Sequence, residues 1–286
     1  MQYSGRSPAV VNARRIMFIR ITNKQTLSHN FTTHPWPPVR NLLVDLFNES
    51  AKVHTIHALF EADVFLLMQK LKKKQQEKRQ GISINAFIIY SLARSLAENP
   101  EMTAMRWGKK KLLIFDEIDI LTIVERRIKG QQSIPVGVVI KNAGNKTFDE
   151  MNELLRSYQK ADITGLPSVK ERRKLLSYPA FIRRWMIRRI SNDPFLFKKY
   201  YGNAAVSSLS ISSGNRAWWG IPMTASTLCL MPAGIYKKVV MQDGVPVERD
   251  FMSFTFSFNH DVIDGAPASR FARDFMKRFE EGHGLD

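Results

Sequence analysis

Residues 251–271 read FMSFTFSFNHDVIDGAPASRF, and the reading of this stretch decides the fold. Its first part alternates, with Met252, Phe254, Phe256 and Phe258 on one side and Ser253, Thr255 and Ser257 on the other. That period of two is the mark of a strand with one apolar face. The strand runs straight into His260; Asp264 follows four residues on, and Gly265 allows a tight turn. Phe271, Phe275 and Phe279 are then spaced by four, as on one face of a helix. The stretch is therefore strand, turn, helix. A histidine at such a strand end is held rigidly by the sheet yet can face a cleft, which a general base requires. The plainer reading makes His260 and Asp264 a turn pair, with Asp264 capping the last helix; on local sequence both readings stand.

Upstream, AVSSLSI, TLCLMPA and YKKVVM read as strands, and Asp243-Gly244 makes a hairpin turn towards the decisive one. In the N-terminal half, Leu42, Leu43, Leu46 and Phe47 have helical spacing, and residues 55–60 are rich in β-formers. Asp63 is placed to cap a helix carrying Val64, Leu67, Met68 and Leu71. A second helix, capped by Ser83 or Asn85, buries Phe87, Ile88, Leu92, Ala93 and Leu96 and stops near Pro100. Strands are expected over 112–115, 118–124 and 136–140, then a helix over 148–158. Helices and strands thus alternate, with no internal repeat and no linker that splits the chain.

At 286 residues, with 44% apolar residues, the chain has ordinary globular usage, which excludes a disordered or collagen-like protein. Against 43 Lys and Arg stand 26 Asp and Glu, a net charge of +17 that favours anionic partners. The single cysteine, Cys229, rules out a disulfide framework and a cysteine metal cluster, and its apolar strand makes it a core thiol. Arg6, Arg14, Arg15 and Arg20 interrupt any N-terminal signal segment, so a cytoplasmic location is expected.

Much of the charge lies in one place. Residues 170–199 hold ten Lys or Arg against Glu171 and Asp193, interleaved with Leu175, Leu176, Phe181, Ile182, Trp185, Met186 and Ile190. This pattern reads as an amphipathic helical insert over residues 165–200. It fits a membrane-surface helix, a docking face for an acidic carrier domain or coenzyme A phosphates, or a solvated face whose apolar stripe packs on the body. Nucleic-acid binding has only the charge in its favour.

The motif NHDVIDGA resembles the signature shared by chloramphenicol acetyltransferases and the catalytic domains of 2-oxoacid dehydrogenase (dihydrolipoamide) acyltransferases. The likeness to the second group extends through RNLLVDLFNES, HALFEADV, INAFIIYSLARSLAENPEM, IPVGVVIKNAGNKTFDEMNELLRS and SSLSISSGN, roughly residues 40–279 without the basic insert. It implies an α/β fold like chloramphenicol acetyltransferase, a mixed β-sheet flanked by helices in a single domain over residues 40–286, after an irregular arm over 1–39. It implies a homotrimer with active sites at subunit interfaces, and acyl transfer from coenzyme A, as acyl-CoA substrate, to a thiol or hydroxyl acceptor without a metal. By the resemblance, His260 is the general base, Ser212 donates a hydrogen bond to the tetrahedral oxyanion, and Asp264 buttresses the site through a structural ion pair with Arg40. Ser210 and Ser213 are neighbours that compete with Ser212 for its role.

Departures from the family pattern shape what is expected of this chain. Asn259 and Asp261 flank the histidine where Asp or His, and Arg, are usual, and an anion at 261 near the base would favour imidazolium. Asn215-Arg216-Ala217-Trp218-Trp219 replaces a small-residue stretch. No lipoyl-lysine turn is visible, so a free-standing catalytic domain with no covalently bound lipoyl group is expected, one whose partner is an acidic acyl-carrier or lipoyl domain. A non-catalytic scaffold of the same fold, recruiting an acidic carrier or a membrane through the insert, is the alternative. His54 and His57 stand three apart on a strand candidate, a spacing that sends them to opposite faces and speaks against a metal pair.

Overall fold

The computed structural model describes residues 32–79, 81–126, 134–160, 167–208 and 216–285. Residues 37–286 group as one compact unit, and Met1–Trp36, of which 32–36 are described, as another. Helix α1, Val39–Ser50, leads into strand β1, Thr55–Asp63, and helix α2, Phe65–Lys78. The Asp63 carboxylate accepts from the Phe65 amide at 2.9 Å, but the N-cap position of α2 is taken by Val64, one residue later than the expected cap. Helix α3, Ile84–Glu98, is nearly all apolar along one side and stops at Pro100, where a short 3-10 turn follows.

Strands β2, Met105–Trp107, and β3, Lys111–Leu113, form a small separate hairpin. Strand β4, Ile120–Arg126, pairs antiparallel with β5, Ile134–Ile140, and helix α4, Phe148–Lys160, follows. The basic region is three helices: α5, Pro167–Leu176; α6, Ala180–Asn192; and α7, Pro194–Tyr201. Strand β6 is only Ala204–Val206. The two strands expected over TLCLMPA and YKKVVM are one, β7, Leu228–Gln242, because an irregularity between Pro232 and Ile235 absorbs the proline without ending the ladder. Asp243 and Gly244, at φ 51° and 80°, turn it into β8, Val245–Asn259, and helix α8, Gly265–Glu280, closes the fold.

The main sheet has the order β1-β8-β7-β6-β4-β5. It is mixed: β6 runs parallel to both β4 and β7, and the other pairs are antiparallel. The alternation of β8 does what its sequence dictates. Phe254, Phe256 and Phe258 are fully buried and meet Phe271, Phe275 and Phe279 of α8, with ring centroids 5.0 Å apart for Phe254–Phe279 and 5.1 Å for Phe256–Phe275. Each such ring contributes roughly 1.5–3 kcal/mol by leaving water. This cluster continues through α3 to the inner faces of β4 and β5, so one core backs the whole sheet.

Asp119, just before β4, ties the far half together. Its carboxylate accepts from Lys198 Nζ at 2.7 Å, Lys141 Nζ at 2.9 Å and the Asn142 amide at 2.9 Å. Its own amide donates to Asn203 Oδ1 at 2.7 Å, and its carbonyl accepts from the Asn203 amide at 2.8 Å. A Cβ on Gly202, at φ 71°, would stand 2.3 Å from the Asp119 carbonyl oxygen, so only glycine lets β6 start there.

Candidate active site

His260 sits one residue past β8, on a turn fixed from several sides. The Asn259 amide donates to the Thr227 carbonyl at 2.8 Å, and the amides of Val262 and Ile263 donate to the Asn259 carbonyl at 3.1 and 2.9 Å. The Asn259 side chain accepts from the Asp261 amide at 3.0 Å, an Asx turn that its amide type makes possible. Ile263 is buried and anchors the far end. The His260 backbone is thus held while its ring is exposed on the single chain.

His54 grips the same turn twice. Its carbonyl accepts from the His260 amide at 2.7 Å, and its Nδ1–H donates to the Asp261 carboxylate at 2.8 Å. The Asp261 carboxylate, an anion beside the base in sequence, thus has His54 as its hydrogen-bond partner. His54 itself precedes β1, and His57 lies within it, hydrogen-bonded through Nδ1 to Ser257 Oγ at 2.8 Å. The two histidines serve two separate contacts. Sequence reasoning missed the clamp, and its only visible signal was the pairing of an unusual Asp261 with a histidine just ahead of the neighbouring strand.

Asp264 occupies the N-cap position of α8, yet its side chain makes no capping hydrogen bond. Both Asp264 and Arg40 are exposed, and among the described residues no ion pair joins them. The buried acidic residue of α1 is Asp45, the seventh residue of the helix, which accepts from Arg183 Nε at 2.6 Å and Arg184 Nε at 3.1 Å. Gly265 is not needed for a tight turn: it is the first residue of α8, its φ is not positive, and a Cβ there meets nothing within 4 Å. Ser212, with Ser210 and Ser213, lies outside the described residues.

Other side chains that drew notice have structural employment. Cys229 is buried, and that burial pushes its thiol up to about 12, so it is no nucleophile. Trp219 Nε1 donates to the Phe60 carbonyl at 3.2 Å. An open cleft of about 500 Å³ lies between β2 and α6, lined by Trp107, Trp185, Arg188, Arg189, Asn192 and Asp193, and His260 is not part of it.

Residues 28–168 and 221–285 match the family of 2-oxoacid dehydrogenases acyltransferase (catalytic domain), well over half of the chain and including the His260 turn. The chain belongs to this family. Among relatives of this acyltransferase family, the dihydrolipoyllysine-residue acetyltransferase component of the pyruvate dehydrogenase complex from Rickettsia felis is 23% identical over 216 residues, 73% of this chain and 42% of that protein. The lipoamide acyltransferase component of the branched-chain alpha-keto acid dehydrogenase complex from Bacillus subtilis is 25% identical over 202 residues, 70% of this chain and 40% of that protein. The chain therefore spans about two fifths of the length of these relatives. The solved dihydrolipoamide acetyltransferase of Azotobacter vinelandii, investigated for a serine, a histidine and an asparagine in its catalytic mechanism, superposes with a TM-score of 0.65 at 15% identity, covering 96% of this chain and 99% of that one. The mixed sheet with flanking helices is accordingly the family's fold. The residues between the two matched stretches, 169–220, hold most of α5 and all of α6, α7 and β6.

Proposed function

We propose that this acyltransferase-family chain moves an acyl group between coenzyme A and a thiol or hydroxyl acceptor, with His260 as general base. The observation that carries the reading is the His260 turn, fixed at the end of β8 and lying inside the family-matched stretch 221–285. In the step, a ring nitrogen of His260 takes the proton from the acceptor S–H or O–H as the acceptor attacks the thioester carbonyl. The tetrahedral oxyanion accepts a hydrogen bond from the Ser212 hydroxyl. Its collapse breaks the C–S bond, and the departing coenzyme A thiolate takes the proton back from His260. A positioned base contributes roughly 10²–10⁴-fold to such a step, and an oxyanion donor about 3 kcal/mol. The His54 clamp supports the reading, because it holds the amide of His260 and the side chain of the next residue while the ring stays outside.

The exposure of His260 on the single chain fits a homotrimer in which His260 of one protomer faces Ser212 of the next. The relatives that belong to pyruvate and branched-chain complexes point to a dihydrolipoyl thiol as acceptor.

The test is coenzyme A release from a panel of acyl-CoAs with dihydrolipoamide and pantetheine as acceptors. His260→Ala is expected to lower acceptor-dependent release by at least a hundredfold. Equal amounts of His260→Ala and Ser212→Ala chains, unfolded and reassembled together, are expected to recover about a quarter of the wild-type sites, since random assembly brings an intact histidine to an intact serine that often. Wild-type protein that releases no coenzyme A with any pair would sink the acyl-transfer reading and leave the scaffold. Activity without recovery on mixing would retain the chemistry and remove the shared site.

A further inference from the structure

The structure fixes which side of the basic region packs on the body. In α6 the stripe turned to the body is Arg183, Ile187 and Ile190, all buried. Phe181 and Trp185, which belong to the apolar set in sequence, stand 73% and 64% exposed on the opposite side, beside Arg184, Arg188 and Arg189. The apolar stripe of the helix is therefore already used by the fold, and two aromatic tips remain outside with three guanidinium groups.

A second element completes this face. The β2–β3 hairpin reaches the same cleft through Trp107; its turn carries Lys109 and Lys110, and β3 opens on Lys111, all exposed. The Trp107 ring meets Phe195 edge to face at 5.8 Å and has Lys111 Nζ 5.4 Å from its centroid, so the aromatic groups form a connected set ringed by cations. The adjoining carboxylates are spent within the fold. Asp193 accepts from the Phe195 and Leu196 amides at the head of α7, and Asp45 is buried against Arg183.

We infer that this face, α6 with the β2–β3 hairpin, is a docking surface for an anionic phospholipid bilayer. Charge complementarity is the first argument: six exposed cations, Lys109, Lys110, Lys111, Arg184, Arg188 and Arg189, of which Arg184 shares the buried Asp45 at 3.1 Å, match the cluster that anionic leaflets attract. The second is the aromatic tips, since Trp and Phe amid Lys and Arg fit the headgroup boundary, where an apolar ring and a cation are both accommodated. A protein partner is the poorer match, because lysines are depleted at the centre of protein interfaces and here three stand together at the tip. An isologous contact between two copies would set the same six cations against each other. The inference does not depend on the acyl-transfer reading, and none of these residues belongs to the His260 turn.

The experiment is co-sedimentation of the full chain with phosphatidylcholine vesicles and with vesicles containing 30% phosphatidylserine, at about 0.1 M salt. The protein is expected to partition onto the anionic vesicles at least tenfold more strongly, and to be released by higher salt. Each basic residue near such a surface is worth about a fivefold change in partitioning, so Lys109→Glu with Lys110→Glu, and separately Arg188→Glu with Arg189→Glu, are each expected to lower binding more than tenfold. Phe181→Ala with Trp185→Ala is expected to weaken it with every charge intact. Circular dichroism and sedimentation mass are expected to stay at wild type, as is coenzyme A release in solution. Equal binding to both vesicle types, indifference to either pair of reversals, or reversals that change the mass of the assembly would overturn the inference, the last in favour of self-association.

Discussion

Asp119 carries more structure than any other single carboxylate described, because it binds the start of β4, the turn after β5, helix α7 and the entry to β6 at once. Burial pushes its carboxyl up, but hydrogen bonds from Lys198, Lys141 and the Asn142 amide, with the Lys198 charge, outweigh that and hold it below the ordinary aspartate range. A depressed native value against about 3.9 in the unfolded chain means that this stabilisation is present above about pH 4 and is lost as the pH falls through the native value. Asp119→Asn is expected to cost about 3 kcal/mol at pH 7, since Lys198 loses its nearer counter-charge and keeps only the 3.5 Å contact to Glu117. The cost is expected to shrink as the pH drops below 4, and urea unfolding across pH 3 to 7 measures it. A deficit independent of pH would mean that the carboxylate's charge is not what matters. None of this network was legible in the sequence. Asp119, Lys141, Lys198 and Asn203 are spread along the chain, and only folding brings them into hydrogen-bonding range. The His260 turn was legible because all its residues are neighbours in sequence.

Among the elements, those whose burial pattern is set by a single period were read correctly. Helices α1, α3, α4 and α8 and strands β1, β4, β5 and β8 stand where their spacing places them. In the basic region the spacing gave helices but left open which side packs on the body, and in α6 the fold buries Arg183 and leaves Phe181 and Trp185 exposed. One long-range partner on the inner side is Asp45 of α1, which holds Arg183 to the body. The same contact makes the attachment of α6 fragile. Asp45→Ala leaves the Arg183 guanidinium, with 9% of its side chain exposed, facing no counter-charge, and is expected to cost about 3 kcal/mol. Trypsin cleavage at Arg183 to Arg189 is expected to accelerate many-fold, while Asp45→Glu restores most of the protection. Unchanged cleavage would mean that Ile187 and Ile190 hold the helix without the ion pair.

At the scale of the whole molecule, the sheet is continuous only through β6, three residues long and parallel on both sides. To one side lie β1, β8 and β7, joined by long antiparallel ladders; to the other lie β4 and β5. The helices bridge what the strands barely connect, with α3 packing towards α4 on one flank and α8 on the other. Cooperativity should therefore be uneven: the halves form two foldons, coupled through side chains more than through the backbone ladder. Native-state hydrogen exchange in rising denaturant is expected to resolve two opening free energies, the higher for amides of β7 and β8, the lower for β4 and β5. One shared isotherm would assign the coupling to the ladder itself. In the two-unit case, the turn that bears His260 rides on the half that opens last, and the chain that leads from β6 towards Ser212 starts at the hinge between them.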